Sequence, residues 1–427
     1  MGIPKIIIAG PSERQQYFFH KINDNTVRFV LNYPGQVRPD VLREAVKSIV
    51  ESVDILHGTF FTDAVSAYWK LNDEIDSIHY FHYIKCSGDT AETAYSLSLF
   101  PVFPEDKVQI RVWLVQSEIA SSIVVCISHL CADGGDGKYL LNKIIEAYNM
   151  ILSKGNTDEL VVKNGSRAPE KLYTEKTVKE VMGLVGTQLP KVSSLYPYPT
   201  KDGGMVRYLR KTISPEIMGA ARKRAKEIGA SVNDLLVAAL TQAYAELEEI
   251  DATQPMSITS MMDLRRHCKN GESEGLCNMS GSMPTYMEHG VQGSYEETLK
   301  EVAKQTALVK ENPNAGLSGL PMIHSATRNV PMGLLLKFVG KMYEKASLNL
   351  TNMGNISCAD YALGEIIPSS GFFGGPVKKK PGLTVAVMSF DGECVLSICG
   401  IFTDDDVALL DSTLDRMVYH IETYSVR

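Results

Sequence analysis

A chain of 427 residues is longer than one hydrophobic core normally fills, so two domains or subdomains are expected. With 44% hydrophobic and 22% charged residues the balance is ordinary globular, and a net charge of −7 without a dense basic stripe argues against a nucleic-acid surface. Eight cysteines with no CxxC pair speak against a zinc knuckle and are too few for a disulfide scaffold, so a reducing, cytoplasmic compartment is expected.

The opening stretch, MGIPKIIIAGPSERQQ, does not read as a signal peptide, because its apolar run Ile6 to Ala9 is short and follows Pro4. Ile6 stands where a myristoylation signal needs Ser or Thr. No apolar run reaches the roughly 18 residues of a membrane span. TVRFVLNY, ending at Tyr33, reads as a strand. Pro39 and Asp40 open a helix whose Val41, Leu42, Ala45, Val46, Ile49, Val50 and Val53 share one face, stopping near His57. GTFFT and SIHYFHYIKC follow as strands, then a short helix over 90–99. VQIRVWLVQ and SSIVVCISH form a hairpin around a polar turn at Ser117 to Ala120. After Gly137 the pattern turns helical, from Tyr139 to Leu152.

Residues 154–205 change composition, with KNGSRAPE and YPYPTKDGG, and read as a crossover with one helix over Lys176 to Leu184. The strand MVRYLRKTI opens the second half. Ser214 and Pro215 start a helix that Gly229 ends, and Ser231 with Asp234 starts another. PMSITSMMDLRR is a strand running into a basic turn. Ser294 and Glu297 form a capping box, and Pro331 to Tyr343 is a compact apolar helix for which core packing is expected over membrane contact or gating of an acyl tunnel. SLNLTNMGNISC is a strand with a glycine turn, LTVAVMSFDGECVLSICG a hairpin turning at Asp391-Gly392, and the last helix carries acids at its start. Lys378 to Lys380 read as a solvated loop, with an anionic ligand as the sharper alternative.

Chemistry concentrates in residues 123–137, IVVCISHLCADGGDG. A buried strand delivers His129 to its tip, and sites gather at the carboxyl ends of strands in α/β sheets. Imidazole is the side chain best suited to move protons near neutral pH. Asp133, four positions on, is either a relay partner or an anchor for the turn, and Gly134 and Gly135 suit unusual dihedrals. Ser128 adjoins His129, but strand neighbours point to opposite faces, so a Ser–His pair is not expected. Cys131 has nothing nearby to acidify it. His79 and His82 face opposite sides of a predicted strand and make a poor metal pair. There is no GxSxG elbow, and Gly134 to Gly137 lacks the Lys-Ser/Thr ending of a phosphate loop.

Ser128-His129-Leu130-Cys131-Ala132-Asp133-Gly134 resembles the HHxxxDG motif of the CoA-dependent acyltransferase superfamily, with Ser128 in place of the first His. That group holds chloramphenicol acetyltransferase, condensation domains of peptide synthetases, plant BAHD acyltransferases and alcohol acetyltransferases. Ser231 to Asp234 is similar to its TxND segment, Asp263 to Arg266 to its DLR turn, and Asn352-Met353-Gly354 to its SNxG segment, with Thr351 in place of the Ser. The BAHD motif DFGWG is absent.

The resemblance implies an α/β fold with mixed sheets: two chloramphenicol-acetyltransferase-like subdomains in a V-shaped pseudo-dimer with an active-site tunnel between them. Residues 1–165 would form the first, 166–205 the crossover and 206–427 the second. His129 would be the general base for direct attack of an alcohol or amine on the thioester of acyl-CoA or acyl-phosphopantetheine, with no acyl-enzyme, metal or tightly bound cofactor. Asp133 would hold the loop through Arg265, Gly134 would leave room for the thioester arm, and Ser128, Asn352 and Gly354 would line the tunnel. Two alternatives are a condensation protein served by an acyl or peptidyl carrier protein, and a degenerate binding module without catalysis.

Overall fold

The computed structural model describes residues 5–63, 66–173, 176–184, 195–291, 293–345 and 348–426. The stretch 185–194 of the expected crossover, and residues 1–4 of the opening stretch, therefore lie outside the described residues. The first half runs β1 (Ile6–Ile8), α1 (Pro11–His20), β2 (Thr26–Tyr33), α2 (Pro39–Ser52), β3 (Gly58–Thr62), β4 (Ala67–Leu71), β5 (Phe81–Lys85), α3 (Thr90–Ser98), β6 (Ile110–Gln116), β7 (Ser121–Ser128) and α4 (Gly134–Lys154). The second runs α5 (Val178–Gly183), β8 (Met205–Ile213), α6 (Pro215–Glu227), α7 (Val232–Ala245), β9 (Met256–Asp263), β10 (Ser280–Met287), α8 (Tyr295–Glu311), α9 (Leu320–Asn329), α10 (Met332–Tyr343), β11 (Leu348–Ile356), β12 (Ser370–Gly374), β13 (Leu383–Phe390), β14 (Glu393–Phe402) and α11 (Asp404–Val426).

Two large mixed sheets carry the molecule, ordered β12-β2-β7-β6-β5 and β10-β9-β11-β13-β14-β8, with a small sheet β1-β4-β3 beside them. The expected mixed α/β architecture is what is observed. Strand β7 sits in the middle of its sheet and is buried along its whole length. Its alternation explains why it reads as one continuous apolar run. Ile123, Val125 and Ile127 enter the core under α2 and α4, while Val124 and Cys126 enter a smaller cluster on the other face with Ala94 and Tyr95 of α3. On α4, Leu140, Leu141, Ile144 and Ile145 are buried, each contributing ~1.5–3 kcal/mol relative to exposure. The second core gathers α7, α11 and the inner faces of β11, β13 and β14.

Several elements depart from expectation. Helix α4 begins at Gly134 rather than beyond Gly137, because the Asp133 side chain caps it by accepting the Asp136 N–H at 3.0 Å. Strand β10 escapes a pattern search because Pro284 interrupts it, and it is tolerated at the sheet edge. Helix α10 is amphipathic: Met332 and Leu335 are buried, while Leu334 and Phe338 stay exposed. No helix among the described residues is long and apolar enough to cross a membrane.

Strand β12 joins the two halves. It comes from the C-terminal part of the chain yet pairs antiparallel with β2, Gly371 opposite Leu31. A Cβ at Gly371 would stand 2.5 Å from the Val30 carbonyl oxygen and 2.6 Å from the Phe390 ring. Replacing Gly371 by Ala should therefore cost about 1–3 kcal/mol, read as a lower denaturant midpoint at unchanged slope. An unaltered midpoint would refute this close approach.

Candidate active site

His129 follows β7 directly and its backbone is pinned from both sides. Its N–H donates to the Asn25 carbonyl at 2.9 Å, and its carbonyl accepts the Asn278 Nδ2 at 2.6 Å. Ser128 before it is fully buried between Thr26 and the Gln109 carbonyl, which accepts the Ser128 N–H at 2.9 Å. Among the described residues the Ser128 hydroxyl finds no partner, and nothing there would activate it as a nucleophile. Cys131 is completely buried, which pushes its thiol up to about 12, so it stays protonated.

The imidazole is partly buried, with Nδ1 shut away from solvent and lacking a well-aligned partner. That leaves Nε2 to meet a second molecule. Burial pulls the imidazole below its ordinary 6.5, while the Asp133 charge, its own carbonyl and the Asn278 side chain support the protonated form and Lys378 opposes it. The balance favours neutral imidazole, the form able to accept a proton.

Asp133 and Arg265 are brought together across the two halves. Arg265 Nη1 donates to Asp133 Oδ2 and Nη2 to Asp133 Oδ1, both at 3.0 Å, a bidentate pair. Asp133 also accepts the Met279 N–H at 2.9 Å. Burial by itself would raise this carboxyl, but the guanidinium and two backbone N–H groups outweigh it and hold the carboxyl low. These four hydrogen bonds, from three partners, commit it to holding the loop rather than to proton relay.

Asp136 shares the guanidinium, 2.9 Å from Arg265 Nη2, and accepts the Cys277 N–H at 2.6 Å. Burial and the neighbouring Asp133 charge push its carboxyl up. Arg265 is locked further by Ser273 Oγ at 3.2 Å and the Cys277 carbonyl at 3.1 Å. Behind the loop, Arg167 pairs with Glu13 at 2.7 Å and donates to the Cys131 carbonyl at 3.0 Å and to the Leu276 carbonyl. Sequence reasoning missed Asp136, Asn278, Arg167 and Glu13; only Asp136 carried a signal, as a second acid in the first turn of α4.

The late strand approaches the same loop differently from expectation. Leu348 and Leu350 face the second core, and alternation puts Asn352 on their side. Its carboxamide oxygen accepts the Gly354 N–H at 2.8 Å, and Gly354 has φ +75°, so the two build a bulge between Asn352 and Asn355. Met353 is the residue set over Gly134, where a Cβ would meet its sulfur at 2.7 Å. Arg266 only reaches the Lys310 carbonyl at 3.2 Å on the surface. A cavity of about 640 Å³ is lined by Ile7 to Pro11, Glu13 and Arg167, and by none of His129, Asn352 or Gly354. No cluster of metal-ligating side chains occurs among the described residues.

Asp133→Asn breaks a desolvated pair and should destabilise the protein by about 3–5 kcal/mol in denaturant titration, where a loss under about 1 kcal/mol would contradict the buried geometry. The depressed Asp133 carboxyl contributes stability that is present above its unfolded value of 3.8 and lost as pH falls through the folded value. Arg265→Met reverses that sign, since two buried acids without a cation favour the protonated form. Its stability should fall between about pH 5 and about pH 8, more steeply than that of the wild type.

No protein-family model matches the sequence, and no curated protein matches it. Solved structures do match over nearly the whole chain. A trichothecene 15-O-acetyltransferase of Fusarium sporotrichioides is 12% identical with TM-score 0.72, covering 97% of this chain and 95% of its own. The condensation domain of the monacolin K polyketide synthase is 12% identical with TM-score 0.68, covering 99% and 98%. F. graminearum TRI101, complexed with ethyl coenzyme A, is 16% identical with TM-score 0.65, covering 96% and 97%. At such identity the likeness speaks for architecture: this chain has the two-subdomain fold of the CoA-dependent acyltransferases and condensation domains.

Proposed function

We propose that the protein moves an acyl group from a CoA thioester to an alcohol or amine, with His129 as general base. The observation that carries this is the partly buried imidazole at the tip of β7, whose burial disfavours its charged form and whose carbonyl is held by Asn278 of the other half. Residues 1–165 and 206–427 would supply the walls of a substrate channel, joined by 166–205. Nε2 takes the proton from the acceptor O–H or N–H as that atom attacks the thioester carbonyl. The C–S bond then breaks, and the proton passes to the leaving thiolate. No acyl-enzyme forms, in keeping with the buried states of Ser128 and Cys131.

Asp133, Asp136 and Arg265 act through geometry, fixing the loop that carries His129. Asn278 orients the base through the backbone: Nδ2 holds the His129 carbonyl, and its side chain lends some support to the protonated imidazole. We assign Asn352 and Gly354 to the bulge that places Met353, rather than to an oxyanion donor. Gly134 gives the approach to the loop its clearance. The condensation-domain neighbour supports a second donor, a carrier-borne phosphopantetheine thioester, which the same assay distinguishes.

Positioned general-base catalysis is worth about 10²–10⁴ in rate, so His129→Ala should lower release of CoA thiol from acyl-CoA plus acceptor by at least about 100-fold. Undiminished turnover would refute the assignment. Because burial holds the imidazole under 6.5, kcat/KM should rise with pH below that value and level off above it. Asn278→Asp sets a carboxylate beside the imidazole and should move that acid limb to higher pH. A limb that stays in place would remove Asn278 from the orienting role.

A further inference from the structure

The three consecutive lysines after Val377 meet three different fates. The Lys380 side chain is buried, with its ammonium bound to Asp406 at 2.6 Å and to the Thr200 hydroxyl at 2.9 Å. Lys379 is exposed, and its backbone N–H donates to Asn23 at 2.9 Å. Only the middle of this stretch is therefore the solvated loop expected of it. Lys378 is half-buried and forms no ion pair among the described residues. Burial alone pulls its ammonium down to about 8, with no carboxylate to oppose the shift.

The backbone directs Lys378 toward the site. Its N–H donates to the Cys399 carbonyl at 3.1 Å and its carbonyl accepts the Ile401 N–H at 3.0 Å, fixing it against β14. Val377 before it donates to the Asp24 carbonyl at 3.0 Å, and the next residue, Asn25, accepts the His129 N–H at 2.9 Å. Two inter-strand steps, ~10 Å in all, thus separate its backbone from that of His129, a gap that the extended lysine stem and the imidazole bridge only together. Its charge is felt at the imidazole.

A half-buried ammonium without a protein counter-charge gives up part of its hydration, and the proton transfer assigned to His129 does not need it. We propose that Lys378 pairs with a carboxylate on the substrate held at His129, so that the reaction selects a carboxylate-bearing molecule. The inference rests on the acyl-transfer proposal and narrows its substrate class. The phosphates of CoA lie at the far end of the pantetheine arm from the thioester. A cation beside His129 therefore meets only groups close to the reacting carbon, on the acceptor or on the acyl tail.

Matched substrates separate these sources. In one arm the full-length protein receives acetyl-CoA with amino and hydroxy acids or with their methyl esters. In the other it receives succinyl-CoA or butyryl-CoA with neutral alcohols and amines. Release of CoA thiol is followed, with His129→Ala as the control. The carboxylated member should show at least a tenfold higher kcat/KM in one arm, which identifies the source. Lys378→Met should erase that ratio, Lys378→Arg should keep it, and thermal midpoints report folding of both. His129-dependent turnover with no carboxylate preference in either arm would overturn the inference and leave acyl transfer standing. So would a preference that survives in Lys378→Met. If no thioester is consumed with any pair, the acyl-transfer proposal falls and this inference falls with it.

Discussion

Arg265 leaves a short helical turn after β9 and ends between two buried carboxylates of the other half, Asp133 and Asp136, with exposed Asp263 at its side. One guanidinium between two buried acids is the constraint on which the site depends. Taking these charges out of water is repaid only by close, multiple hydrogen bonds, and every one of them comes from a fixed element. Asp133 caps α4, the Met279 and Cys277 N–H groups belong to the segment leading into β10, and Ser273 closes the far side. Stacking these partners leaves the loop from His129 to Asp133 one conformation across the seam of the two halves.

That rigidity has a chemical purpose in the proposed reaction. A general base must be neutral at working pH and aimed at one point. Burial above all disfavours the charged imidazole, with a small contribution from Lys378, while Asp133, though committed to Arg265, gives the protonated form its largest support. Among the described residues, the same arrangement leaves Lys378 near the base without a protein counter-charge. Structure and substrate preference are thereby linked: what the fold leaves unpaired, the substrate is proposed to pair.

Much of this was legible in the sequence, and the rest was hidden for physical reasons. His129 and Asp133 stand out because an apolar β-branched strand delivers them and glycines follow. Arg265 could be named only through the family resemblance. Asn278 and Met279 sit in irregular chain and act through a carboxamide and a backbone N–H, which leave no pattern. Strand β12, SGFFG, is too short and glycine-rich to announce itself, and its partner β2 lies more than three hundred residues earlier in the chain. Lys378 looked like its neighbours because their separate fates are decided by Asp406, Thr200 and Asn23, which lie elsewhere in the sequence. The resemblance placed Asn352 in the tunnel lining, but the bulge that follows sets Met353 over the loop.

A crystal structure of the protein with a non-hydrolysable acyl-CoA analogue is the most direct test of acyl transfer at His129. The carbonyl of the analogue should lie at hydrogen-bonding range of a group poised on His129 Nε2, with the pantetheine arm passing Gly134 and Met353. Binding of the acyl end in the cavity at Glu13 and Arg167, remote from the imidazole, would contradict it.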